Sequence, residues 1–245
     1  ANDIQEKKGE KSNLPANLIG GAIGYFIFFI AGSAGFKDYL DTFPVVEFKL
    51  IYALYIILFA FIGLALAIYL GVVFSIMQKI FERFKENVIL RILVAGVIIG
   101  IVGYFFPVIM FSGETQIFNV INDAASYGVV ILLVMALAKI LLMGLSFKTG
   151  YLGGPTFPTI FASTAIALAI NLVFPAIPLT LIIAGIVTGA LMMIFKTPFM
   201  VILLVAVFLA ANTNLIALII IAAAVIMIVS PQVQMAMQKI QSRRK

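Results

Sequence analysis

The chain has 245 residues, of which 64% are hydrophobic and 11% are charged. A soluble domain carries roughly 45–50% apolar and about 25% charged residues, so this composition predicts an integral membrane protein. The chain contains no Cys, His or Trp. Disulfides, Cys/His metal sites and Ser–His or Cys–His catalysis are therefore excluded, and we expect neither an enzyme nor a metal or cofactor.

The formal net charge of +6 comes from sixteen basic and ten acidic residues. The basic residues lie at the ends of apolar segments, as positive-inside sorting would place them, so we expect no nucleic-acid partner. All ten acids lie between Asp3 and Asp123. The rest of the chain thus lacks any carboxylate that could relay protons or bind a metal cation, which argues against cation transport by that half.

Apolar segments dominate the chain and exceed the roughly ten-residue strands of a membrane barrel, so they predict an all-α membrane protein with tilted and broken transmembrane helices. Residues 1–13 are predicted to be a polar tail or linker, residues 14–231 the membrane domain, and residues 232–245 a basic cytoplasmic tail. The eight predicted helical segments are residues 14–32, 48–80, 87–111, 128–147, 156–174, 179–195, 199–211 and 215–229.

Glycine and proline residues lie within and at the ends of these segments. Pro107 is expected to end or kink the third segment, and Ser230-Pro231 to end the last one. Residues 112–127 are predicted to be a polar connector. Small residues at helical spacing allow close helix packing, which is the expected role of Gly96, Gly100 and Gly103.

The distribution of Lys and Arg predicts the orientation of the chain. If each segment crosses once and the N-terminus is cytoplasmic, thirteen of the sixteen basic residues lie inside. Lys37 and Lys49 then lie outside and Lys139 lies within a span. This asymmetry predicts that both termini are cytoplasmic.

Residues 150–158, with the sequence Gly-Tyr-Leu-Gly-Gly-Pro-Thr-Phe-Pro, interrupt two long apolar segments. Gly and Pro break helices, so a new helix is expected to start at Thr156 inside the membrane. A helix start has unpaired N–H groups and partial positive charge, which suit an anion. The alternative is an ordinary interhelical turn at the membrane surface.

Two lysines lie close to predicted breaks in the helices. Lys139 falls in the middle of an apolar helix, where a charge costs roughly 2.5–3.5 kcal/mol and needs a partner or water. It either supports an anion electrostatically, or snorkels or bonds the exposed carbonyls of a broken helix. Lys196-Thr197-Pro198 is a second helix start beside a cation, for which a surface packing break is the favoured interpretation.

The chain resembles the CLC family of chloride channels and chloride/proton antiporters over residues 14–231. The family's Gly-Gly-x-Phe-x-Pro signature aligns with residues 153–158, and a basic residue is common where Lys139 stands. Gly185 to Gly189, followed by Lys196-Thr197-Pro198, resembles the family's Ala-Gly segment and its next break. The resemblance implies the C-terminal repeat of the CLC inverted-repeat fold.

The resemblance also implies an anion site at Gly153, Gly154, Pro155, Thr156, Phe157 and Pro158, with Lys139 as a supporting basic residue. In the family, the amides of the x-Phe pair hold the anion, and by position these are Pro155 and Thr156. Pro155 has no N–H to donate. The anion is therefore expected to rely on the amides of Thr156 and Phe157 and on the Thr156 hydroxyl.

The implied function is transport of chloride or a similar anion through a lipid bilayer, as a channel or an H⁺/Cl⁻ antiporter. The family's Gly-Ser-Gly-x-Pro and Gly-x-Glu-Gly-Pro segments are absent, so a complementary N-terminal half is expected. Helices at 14–32 and 199–229 suggest a homodimer, in a prokaryotic-type plasma membrane. The alternatives are a secondary transporter of another anion and a membrane scaffold that transports nothing.

Overall fold

A computed structural model of the chain describes residues 14–32, 43–84, 86–151 and 153–242. Within those residues the chain forms helices and turns, without β-strands. They belong to two compact units, Ala1–Pro44 and Val45–Lys245. The first unit contains helix α1 (Leu14–Gly32), which has the predicted bounds. The predicted tail at residues 1–13 lies outside the described residues.

The second unit contains eight of the described α-helices. Each of the remaining predicted segments is present in it as a helix, and a short helix, α4, is added between the third and fourth segments. The helices are α2 (Leu50–Glu82), α3 (Val88–Phe105), α4 (Gln116–Asn122), α5 (Ala124–Thr149), α6 (Thr156–Val173), α7 (Leu179–Phe195), α8 (Pro198–Phe208) and α9 (Thr213–Ser242).

Five of the described helices are long and apolar enough to cross a membrane. Four of them are α2, α3, α5 and α6, and the fifth is the part of α9 at Thr213–Met235. Helices α7 and α8 are apolar but shorter. Runs of this length and hydropathy are what a bilayer core of about 30 Å requires, so the chain is an integral membrane protein.

Helix α7 lies at the centre of the second unit. It is apolar on every face, and fourteen of its seventeen residues are buried, as expected of a helix surrounded by others. It packs against α2, α6, α8 and α9. Its closest neighbour is α2, where Gly189 meets the backbone of Ala60 and Gly63 meets the backbone of Ile186. Glycine allows this approach because a Cβ at either position would overlap the facing helix.

The last helix does not end where the sequence predicts. Helix α9 continues through Pro231 to Ser242, so the prediction that Ser230-Pro231 ends it is wrong. Proline lacks the N–H that would reach Met227 O, one helical turn earlier. The Ser230 hydroxyl donates to that carbonyl oxygen instead, at 3.5 Å. Membrane helices tolerate proline when a side chain satisfies the freed carbonyl in this way.

The connection between the third and fourth predicted segments also differs from expectation. Helix α3 ends at Phe105 rather than at residue 111, because Pro107 begins a 3₁₀ turn, Pro107–Ile109. Helix α5 starts at Ala124, before the predicted position, and Gly128 interrupts its helical path with φ 70° and ψ 171°. Residues 106–115, called the connector from here on, join α3 to α4. The rest of the predicted polar connector is taken up by α4 and the start of α5. Helix α4 buries Ile117 and Val120, one turn apart.

Candidate functional site

The signature segment, residues 150–158, begins where α5 ends. Gly150 adopts the left-handed conformation, with φ 109°, that commonly closes a helix. The N–H groups of Gly150 and Tyr151 both donate to Ser146 O. Arg91, from the first turn of α3, donates from Nε to Thr149 O at 3.2 Å. The end of α5 is thus capped by its own loop and by a cation from a neighbouring helix.

Helix α6 begins at Thr156, as the sequence predicts. Pro155 precedes it, and no side chain caps the first turn. Thr159 N–H returns to Pro155 O, and Pro158 has no N–H. Among the described residues, the N–H groups of Thr156 and Phe157 have no hydrogen-bond partner. The first turn of α6 therefore offers two backbone donors together with the positive end of the helix dipole.

A cavity of about 700 Å³ opens beside the signature segment. Gly153, Gly154 and Pro158 line it, whereas Pro155, Thr156 and Phe157 are not part of its wall. A Cβ at Gly153 or Gly154 would meet no other atom within 4 Å, so the backbone there is open to an approaching group. The other lining residues are Gly96, Ile99, Gly100, Ile109, Met110, Phe111, Ser112, Lys139, Leu142, Met143, Ser146, Phe147 and Tyr151.

Lys139 reaches this cavity from α5 and is only 2% exposed. Its Nζ donates to the carbonyl oxygens of Ile109, Met110 and Phe111 at 2.8, 3.1 and 2.8 Å. It also lies 4.9 Å from the centre of the Phe161 ring, on α6. A lysine ammonium has three donors, and all three carbonyls come from the broken chain after α3. The expected bonding to exposed carbonyls of a broken helix is thus confirmed.

The second predicted helix start lies away from the cavity. Lys196 is exposed and closes α7 in a left-handed conformation with φ 57°. Thr197 is buried and donates to Met200 Sδ at 3.6 Å, and Pro198 opens α8. None of these residues lines the cavity. The geometry is that of a packing break with a surface cation, as favoured from the sequence.

Three residues around the cavity have roles that the sequence does not indicate. Tyr151 donates from its hydroxyl to Ile92 O at 3.3 Å and so ties the signature segment to α3. Gly96 and Gly100 line the cavity instead of packing against a helix, and a Cβ at Gly100 would meet nothing within 4 Å. The expectation of close helix packing is wrong at these two glycines. A Cβ at Gly96 would lie 3.2 Å from the Tyr151 hydroxyl oxygen, and a Cβ at Gly103 would lie 2.8 Å from Met110 Sδ.

The site also lacks the side chains that usually hold a metal. Within the described residues, no cluster of three Asp, Glu, Cys or His side chains is placed to bind a metal ion. The lining residues with polar side chains are Ser112, Ser146, Tyr151 and Lys139. None of the lining side chains is a carboxylate, the group that most often holds a hard cation.

Comparison with known families identifies one match. The sequence profile described as "Voltage gated chloride channel" matches residues 12–230. No curated protein and no solved structure matches the chain. The matched range covers most of the chain and includes α1 to α8, the signature segment and the first half of α9. With its all-α architecture and its apolar spans, the chain therefore belongs to the voltage-gated chloride channel (CLC) family.

Proposed function

We propose that the chain transports chloride or a similar anion across a membrane, as part of a channel or an H⁺/Cl⁻ antiporter. The anion is held at the start of α6. The observation that carries this proposal is the pair of unpartnered N–H groups on Thr156 and Phe157, next to the cavity wall formed by Gly153 and Gly154. The proposed role is transport and not catalysis.

The physical chemistry of this helix start favours an anion. The N-terminus of a helix carries roughly half a positive charge, and its first N–H groups have no partner inside the helix. Pro155 and Pro158 donate no N–H, which leaves Thr156 and Phe157 as the donors of the first turn. The Thr156 hydroxyl makes no hydrogen bond to the described residues and adds a third donor. No carboxylate occurs from residue 124 onward to repel an anion.

A second set of helix starts completes the proposed site. The chain contains neither Gly-Ser-Gly-x-Pro nor Gly-x-Glu-Gly-Pro, the segments that the family resemblance leads us to expect on the opposite side of the anion. We propose that they come from a complementary N-terminal half, on the same protein or on a separate chain. The assembly is a homodimer through residues 14–32 and 199–229. Both termini are cytoplasmic, in a prokaryotic-type plasma membrane.

Flux measurements on proteoliposomes test the proposal. The chain, with and without an added complementary half, is assayed with Cl⁻, F⁻ and NO₃⁻ in the presence and absence of a pH gradient. We expect halide flux only from the completed assembly. A pH gradient that drives uphill chloride movement identifies an antiporter, and passive flux alone identifies a channel.

The same assay separates the alternatives. Flux by this chain alone at the rate of the completed assembly would contradict the need for a second half. Flux of organic anions without any halide response would identify a transporter of another substrate. If no anion binds or moves in the completed assembly, the chain is a membrane scaffold. Cross-linking in lipid tests the homodimer, and a strictly monomeric assembly would refute it.

A further inference from the structure

The buried ammonium of Lys139 is fully engaged by protein groups. All three of its donors are used by three consecutive carbonyl oxygens, at Ile109, Met110 and Phe111. No N–H remains for an anion in the cavity. The lysine is also more than nine-tenths buried, between the connector and the Phe161 ring. Direct anion contact by this side chain is therefore not the role that its geometry supports.

The segment that Lys139 holds is strained. Phe111 has φ 56°, a left-handed conformation that costs a non-glycine residue free energy and persists only where neighbouring contacts enforce it. Gly113 follows with φ 92°, and a Cβ there would lie 3.0 Å from the Phe161 side chain. The carbonyl oxygen of the strained Phe111 is one of the three that Lys139 binds. The ammonium and Phe161 together fix the path of the connector.

The same three carbonyls belong to residues that line the cavity. Several carbonyl oxygens that converge on one point form a binding site for a cation and repel an anion. The Lys139 ammonium occupies this point and neutralises the carbonyl oxygens. Without it, this part of the cavity wall would favour a cation.

We propose that Lys139 is a positioning residue that acts as a tethered cation. It binds the carbonyl oxygens of residues 109–111, holds the connector as a wall of the cavity, and makes that wall compatible with an anion. It does not contact the anion itself. The link to anion affinity rests on the proposed function, whereas the clamp on the connector does not.

Chemical rescue tests this role. Lys139→Ala removes the side chain beyond Cβ, and propylammonium has the length and charge to replace what is lost. Lys139→Met keeps the stem but blocks the space that the amine would occupy. Lys148→Ala is the matched control, since Lys148 is on the same helix and donates only to Gln78 Oε1, at 3.2 Å. Propylammonium and sodium salts are compared at the same anion concentration, with 1-propanol as the uncharged analogue.

The first measurement is hydrogen exchange in the full chain. The amides of Ile109 and Met110 are hydrogen-bonded within the connector and report on its order. We expect their exchange to be at least tenfold faster in Lys139→Ala and in Lys139→Met. Propylammonium should restore protection in Lys139→Ala only, and 1-propanol in neither. Amides of α7 should keep their protection, since a general loss of stability would affect them as well.

The second measurement is chloride affinity, by calorimetry on the completed assembly. We expect at least tenfold weaker binding in Lys139→Ala, recovery with propylammonium, and no change in Lys148→Ala. Unchanged connector exchange in both Lys139 variants would overturn the clamp. Loss of chloride affinity in a Lys139 variant whose connector keeps its protection would overturn the indirect role and indicate direct contact. A wild-type assembly that binds no anion would refute the proposed function, and hydrogen exchange would still decide the clamp.

Discussion

Thr159 donates both its amide and its hydroxyl to the carbonyl oxygen of Pro155, at 3.2 and 2.7 Å. This pair of bonds closes the first turn of α6 without using the N–H groups of Thr156 and Phe157. A serine or aspartate at the position of Pro155 would usually accept from the Phe157 N–H. Because proline cannot do so, the turn is fixed from within while its donors stay available to a ligand.

The close crossing of α2 and α7 predicts that one added methyl group at Gly63 lowers the stability of the protein. In Gly63→Ala the new Cβ would overlap Ile186 O and lie 2.7 Å from Ala190 N. Backbone atoms cannot yield as a flexible side chain does, so we expect a loss of about 1–3 kcal/mol or more in the free energy of unfolding. Denaturant titration in detergent, followed by circular dichroism, measures it.

Gly71→Ala is the matched control for this change. It lies on the same helix, and its Cβ would meet no atom within 4 Å. Alanine is the better helix former by about 1 kcal/mol, so this variant should be as stable as the wild type or slightly more stable. Equal stability of the two variants would contradict the close crossing.

The continuation of α9 through Pro231 predicts that substitutions of Ser230 and Pro231 have non-additive effects on stability. Ser230→Ala removes the hydroxyl that donates to Met227 O and should cost at most about 1 kcal/mol, because the bond is long and exposed. Pro231→Ala restores a backbone N–H to the same carbonyl and should stabilise the helix. In the double variant the serine change should have almost no effect.

A double-mutant cycle on thermal unfolding in detergent measures this coupling. If the effects of the two substitutions are additive, the Ser230 hydroxyl does not compensate for the proline. A helix that ended at Pro231 would also give no gain from Pro231→Ala.

The cavity beside the signature segment predicts that its volume matters for transport. Gly100→Leu places a side chain in that cavity, and its Cβ would meet no atom within 4 Å. We expect at least tenfold slower anion flux by the completed assembly, with unchanged thermal stability. Proteoliposome flux measures this effect. Val97→Leu is the control, since Val97 is 61% exposed on the same helix and does not line the cavity. Equal flux in both variants would place the anion pathway elsewhere.

Much of the fold can be predicted from the sequence because each membrane helix is a long apolar run. Helices α1 and α7 have the predicted bounds, each delimited by glycine, proline or a charged residue. The start of α6 at Thr156 was also predicted, since glycines and prolines leave few other places for a helix to begin. These helix boundaries depend only on residues within or next to the helix.

The remaining features depend on contacts between distant segments. The sequence suggested that Lys139 bonds exposed carbonyls but did not say which, because its partners lie 28 to 30 residues earlier in the chain. Gly96 and Gly100 have the spacing of packing glycines, yet they line a cavity. Pro231 looks like a helix end until Ser230 is seen to satisfy the carbonyl that the proline leaves free.

The central claim is that backbone N–H groups at the start of α6 hold the anion. Thr156→Pro removes one of these donors, and Thr156→Val removes only the hydroxyl. Proline is tolerated in a first helical turn, and Phe157 already precedes Pro158 there, so the variant is expected to fold. Pro155 has φ −77° and ψ −11°, a conformation that a following proline disfavours, so thermal unfolding is measured alongside.

Calorimetric titration of the completed assembly with chloride tests this claim most directly. A hydrogen bond to a charged group contributes about 1.5–3 kcal/mol, so Thr156→Pro should weaken chloride binding about tenfold to a hundredfold. Thr156→Val should weaken it less. Unchanged chloride affinity in a folded Thr156→Pro assembly would contradict the anion site at the start of α6.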